Sequence, residues 1–100
     1  VTVDAGVWAG FDPRQHACDI LAVLDPQWRA SAVFDERGLI VVRARVGRGR
    51  VDLVLPRPED GEPGYEVLRD GWWLCSWECP VPLRAAAVAA MFTDKLEEIR

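Results

Sequence analysis

Four side chains could together hold zinc: His16, Cys18, Cys75 and Cys79 supply one imidazole and three thiols. Their spacing argues against it. His16 and Cys18 are two apart on a helical segment, so their side chains diverge by about 200°. Cys75 and Cys79 are four apart, which on a straight strand is about 13 Å. Only a turn around Glu78-Cys79-Pro80 would bring them together, and a disulfide fails the same test. The simpler reading is three reduced thiols, small apolar side chains, and a surface histidine on a first helical turn. No metal and no cofactor is expected.

The same residues offer a cysteine nucleophile with His16 as base. His16 is the single histidine, so a neutral-pH base depends on it or on a shifted carboxylate. The chain has no glycine-rich nucleophile turn, phosphate loop or dinucleotide fingerprint. Its acids lie mostly in turns, where they cap or initiate. An enzyme is therefore the third choice, behind two binding readings.

The first binding feature is basic. Residues 39–58 carry Arg43, Arg45, Arg48, Arg50 and Arg57 against Asp52, a local +4 that leaves −8 on the other eighty residues. Such a hairpin could grip phosphates or an acidic partner. Against nucleic acid, which the acidic remainder of the chain repels, a solvated face whose charges discourage edge pairing is the simpler reading, and an acidic protein partner suits the cluster better. The second feature is aromatic. Trp72, Trp73 and Trp77, with Trp8 and Trp28, make five tryptophans in 100 residues. Strand alternation puts Trp73, Cys75 and Trp77 on one face and Trp72 and Leu74 on the other. A small core accounts for some of these rings, but at least one is hard to bury in two layers. Trp and Arg are the types most often found at binding hot spots.

The elements that must position these residues follow from capping and period. Asp12-Pro13 is an N-cap followed by a proline suited to the first helical position, and Gln15 has capping-box spacing. Ala17, Ile20, Leu21 and Leu24 share a helical face until Asp25-Pro26, predicting a helix over 13–24. Val1 to Phe11 reads as an arm with Trp8 and Phe11 as anchors. Strands are predicted from Trp28 to Phe34, Leu39 to Val46, Val51 to Leu55, Tyr65 to Arg69 and Trp72 to Glu78. The turns between them are Asp35–Gly38, Gly47–Gly49, a mobile loop over Pro56–Gly64, and Asp70-Gly71. Ile40, Val42, Ala44 and Val46 share a face with Val51, Leu53 and Leu55. Arg43, Arg45 and Asp52 point away, and Asp52 can oppose either arginine. After Pro80-Val81-Pro82, Leu83 to Ile99 is a helix with Val88, Met91, Phe92, Leu96 and Ile99 as its stripe.

The expected fold is a single α+β domain of two layers. An antiparallel meander of about five strands has an N-terminal and a C-terminal helix packed on one face. Leu21, Leu24, Val42, Leu53, Phe92 and Leu96 should form its core. Half the residues are apolar and 28% are charged, which excludes a disordered or low-complexity chain. A net charge of −4 disfavours whole-surface binding to nucleic acid or membrane. The apolar run Ala85 to Thr93 is far shorter than the roughly 20 residues of a membrane span. Val1 to Gly10 lacks the pattern of a secretory signal, and three cysteines fit a reducing cytosol. Eleven of the twelve basic residues are Arg, which points to a GC-rich, bacterial coding sequence.

These features resemble no particular family. The function expected is a small cytoplasmic protein-binding module: a regulator, an immunity or antitoxin partner, or a chaperone-like adaptor. Its site would be an outer sheet face carrying Arg43, Arg45, Arg48, Arg50, Trp72, Trp73 and Trp77. The alternative is a nucleic-acid contact module using hairpin 39–58.

Overall fold

The structure, a computed structural model, describes residues 6–35, 38–60 and 63–100. Residues 1–5 of the arm, the middle of the turn at Asp35–Gly38, and two residues of the Pro56–Gly64 loop lie outside the described residues. Chain order is helix α1 (Pro13–Val23), strands β1 (Ser31–Phe34), β2 (Ile40–Val46), β3 (Gly49–Val54), β4 (Gly64–Arg69) and β5 (Trp72–Glu78), then helix α2 (Ala85–Ile99). Among the described residues the strands form one antiparallel meander in sequential order, with β1 and β5 as its edges. The expected α+β architecture is present, with both helices packing on the sheet.

Local chemistry accounts for these elements. Asp12 caps α1 by accepting from the backbone N–H groups of Arg14 and Gln15, and Pro13 occupies the first turn without losing a needed donor. The capping box does not close. Gln15 Nε2 donates instead to Asp19 Oδ1, one turn along the helix, at 2.9 Å. Asp70 and Gly71 both take positive φ, 52° and 88°, as a two-residue turn matched to strand twist requires. Asp70 tolerates that conformation because its short side chain finds a backbone partner, the Arg50 N–H at 2.9 Å.

The core lies between helices and sheet. Ala17, Ile20 and Leu24 from the first helical segment meet Val88, Phe92 and Leu96 of α2 and Val42, Ala44, Val51, Leu53, Tyr65 and Val67 of the sheet. Leu24, Val42, Leu53, Phe92 and Leu96 are buried as expected, whereas Leu21 is half-buried at the margin.

Two expectations are corrected. Trp28 is not on a strand. It ends a 3-10 turn, Pro26–Trp28, capped by Asp25, and the first strand starts only at Ser31. Trp28 is nevertheless buried, and its Nε1 has no hydrogen-bond partner there. The alternation assumed for the last strand also fails. Val67 pairs with Cys75 but Leu68 pairs with Trp73, so Leu74 is an extra residue at a bulge. Cys75 and Trp77 therefore face the helices, while Trp73 faces the other side.

Candidate functional site

Strand register places six of the seven candidate residues, and Arg48 lies in the turn between β2 and β3. Ser31, Arg43, Asp52, Leu68 and Trp73 form one row across the outer face of the sheet. Within it Asp52 opposes Arg43, which resolves the choice between Arg43 and Arg45. Arg43 reaches the carboxylate twice, Nε to Oδ1 at 2.8 Å and Nη2 to Oδ2 at 3.2 Å. The hydrogen bond to Asp52 pushes the Arg43 guanidinium above its ordinary pKa. The Asp52 side chain is only 7% exposed against 27% for Arg43. Arg43 is thus the partner of a buried acid, and reversing its charge would strand that acid rather than probe a free surface.

Arg45 and Arg50 face each other on β2 and β3, and Arg48 is exposed in the turn between them. Arg50 Nε lies 3.8 Å from Asp52 Oδ2 without hydrogen-bonding it. This turn and the Asp70-Gly71 turn are clasped together. Asp70 N–H donates to the Arg50 carbonyl at 3.0 Å, and the Asp70 carboxylate accepts from the Arg50 N–H. The clasp brings Trp72 and Trp73 to the same end of the sheet as Arg45, Arg48 and Arg50. Arg69, directly opposite Trp72, adds a further cation there.

The tryptophans divide sharply. Trp72 is 80% exposed and Trp73 63%, with Leu74 beside them also exposed. Trp77 packs half-buried against the core. Because the bulge separates the faces, Trp72 lies on the helix side in parity and Trp73 on the outer side. They bracket an edge strand from above and below.

Two further features shape this end of the sheet. Arg69 was legible, since a two-residue turn at Asp70-Gly71 forces it opposite Trp72. The bulge was not, because Leu74 carries no glycine or other mark of an inserted residue.

A separate polar cluster forms under the arm. Trp8 is buried and donates its Nε1 hydrogen to the Pro80 carbonyl at 3.3 Å. It meets Phe11 edge-on at 5.0 Å, and Phe11 meets the His16 ring at 5.4 Å. His16 Nε2 and the Tyr65 hydroxyl are 2.6 Å apart in the interior. His16 is thus buried at 8% exposure, contrary to a surface histidine. Burial pushes its pKa down, despite Asp19, and burial pushes the Tyr65 phenol up. Both therefore stay neutral at pH 7.

Cys79 is buried, its Sγ 3.7 Å from the Trp77 carbonyl, and burial raises its thiol pKa, opposite to what activates a nucleophile. Cys18 is exposed and Cys75 half-buried, and all three cysteines are free. Among the described residues no three His, Cys, Asp or Glu side chains gather as a metal site would need. An open groove of about 490 Å³ runs beside Tyr65, Glu66, Ser76, Trp77 and Cys79, at the opposite end of β4 and β5 from Trp72.

Among the described residues no helix is long and apolar enough to cross a membrane. Comparison with known proteins returns no matching family model, no matching curated protein and no matching solved structure.

Proposed function

We propose that the chain is a protein-binding module whose partner docks on Trp72, Trp73 and Leu74 along the free edge of β5. Arg45, Arg48, Arg50 and Arg69 orient an acidic rim of the partner. One observation carries the reading: two adjacent tryptophans stand in solvent on a strand edge that pairs with no further strand among the described residues. Each ring can bury roughly 150–250 Å² and orders few torsions when it does. The edge adds unpaired backbone donors and acceptors, which suits an extended segment of the partner. The arginines supply direction and encounter rate more than affinity. An odd number of free cysteines supports a reducing, cytoplasmic setting.

The test is capture from native cytosol on immobilised protein, followed by rebinding of the identified partner in purified form. Trp72→Ser with Trp73→Ser should retain the melting temperature, because neither ring is packed in the core, and should lose the partner. Undiminished recovery on the folded double variant would place the site elsewhere. Recovery that disappears after nuclease treatment would favour nucleic acid instead.

A further inference from the structure

A second opening lies at the same end of the sheet, next to the other edge. It is a cleft of about 600 Å³ where the start of β1 meets the end of β2, lined by Gln27, Arg29, Ser31, Arg45, Gly47 and Arg48. Three of those six residues carry guanidinium groups and none is acidic. Among the described residues, no carboxylate lies within ion-pair distance of Arg29, Arg45 or Arg48.

Two local features disfavour the arrangement, and both place positive charge at the cleft. Arg29 sits in the left-handed region, φ 48° and ψ 43°, as the C-cap of the 3-10 turn. Glycine would adopt that conformation freely, and arginine does so uncommonly. Arg45 directly opposes Arg50 across the β2–β3 ladder, and like charges so placed repel.

The remaining groups are hydrogen-bond donors. Gln27 Oε1 accepts from Arg100 Nη1 at 2.8 Å, and Arg100 itself stacks 5.0 Å above the Trp28 ring. With its oxygen so engaged, the Gln27 amide offers its nitrogen. Ser31 adds a hydroxyl.

We propose that this cleft binds a small anion of the diphosphate or triphosphate class. Guanidinium forks match phosphate oxygens in pairs, and three of them balance a ligand carrying about three negative charges. The cleft falls within the roughly 300–1,000 Å³ typical of small-molecule sites. Such a ligand would neutralise Arg45 and Arg48 and give Arg29 the partner its backbone conformation holds in place. The site is distinct from the tryptophan pair, which lies across β3 and β4.

The experiment is calorimetric titration of the whole chain with inorganic pyrophosphate and tripolyphosphate at low ionic strength, with amide NMR shifts to locate the response. One-to-one saturable binding is expected, with shifts at Gln27, Arg29, Ser31 and Arg48. Arg45→Gln and Arg48→Gln should each weaken it about tenfold. Arg29→Gly should weaken it similarly without lowering the melting temperature, since it removes a charge and eases the backbone. Arg84→Gln, at the start of α2, should leave affinity unchanged, and so should Trp72→Ser with Trp73→Ser, whatever becomes of partner docking. Absence of saturable binding would overturn the proposal. So would equal weakening by Arg84→Gln, which would mean unspecific charge attraction. Tighter binding of a single-stranded oligonucleotide that pyrophosphate fails to displace would also overturn it, in favour of a backbone-phosphate surface.

Discussion

Asp52 is 5% exposed in the middle strand, and Arg43 reaches both its oxygens there. The pair's worth lies in what its breakage leaves behind. Arg43→Val should destabilise the fold by about 1–3 kcal/mol, most of it the desolvation of a carboxylate left with only Arg50, 3.8 Å away. Replacing both residues by valine should recover stability to within about 1 kcal/mol of the parent, since the buried Val41 and Val54 already flank them. Urea unfolding of the four proteins in this cycle measures the coupling, and a costless Arg43→Val would show that solvent already screens the pair.

His16 is a titratable group held neutral. Its folded pKa lies below the unfolded value of about 6.5, so the unfolded chain takes up a proton first as pH falls. Stability from this source is full above the ordinary histidine range and is lost as pH drops through and below it. Tyr65, raised in the fold, costs stability on the other side, above its ordinary pKa near 10. His16→Gln should flatten the acid-side fall in unfolding free energy between about pH 7 and 5 relative to the parent. An unchanged difference curve would remove the histidine from that role.

The helices and strands were legible where a side chain both caps and counts. Asp12-Pro13 opens α1, the Val88–Phe92–Leu96 stripe fixes the face of α2, and Asp70-Gly71 fixes the last hairpin. The hairpin signal also placed Trp72 opposite Arg69. What the residues did not reveal was backbone irregularity. Trp28 alternates with Ala30 and Ala32 as a strand residue would, yet Asp25-Pro26 caps a tight turn that carries it into the core first. The bulge at Leu74 changed which face Trp73 shares, and it changed the candidate site with it. A polar tie between distant segments, such as His16 to Tyr65, is set by packing and has no local sequence signal.

The clasp at Asp70 shows how two turns become one surface. Asp70→Ala should cost about 1 kcal/mol, removing both the side-chain acceptor for Arg50 and a residue suited to positive φ. Hydrogen exchange at the Arg50 amide should quicken, while amides of α1 keep their protection. Protection of Arg50 unchanged in that variant would mean the turns hold together without the carboxylate.

Charge is arranged on a larger scale than any ion pair. The chain is net −4, yet Arg45, Arg48, Arg50 and Arg69 collect where the two tryptophans emerge, with Arg29 beyond them. Acids lie on the helices, Asp12, Asp19 and Asp25 along the first and its end and Asp94, Glu97 and Glu98 on the last, and Asp70 lies in the clasped turn itself. The aromatic anchors therefore stand beside a local group of arginines. The field of that group turns an acidic partner toward the anchors before contact, and salt screens it over a Debye length of about 8–10 Å near physiological strength. The anchors themselves work by burial and feel salt little. Raising ionic strength from low to physiological should accordingly slow association with the partner severalfold while leaving dissociation nearly constant. Arg45→Glu with Arg48→Glu should slow association further and reduce its salt dependence, and Trp73→Ala should instead accelerate dissociation. Stopped-flow mixing of the three proteins with the purified partner separates these contributions. Dissociation that tracks salt as steeply as association would mean that charged contacts hold the complex, and would move the centre of the interface from the tryptophans to the arginines.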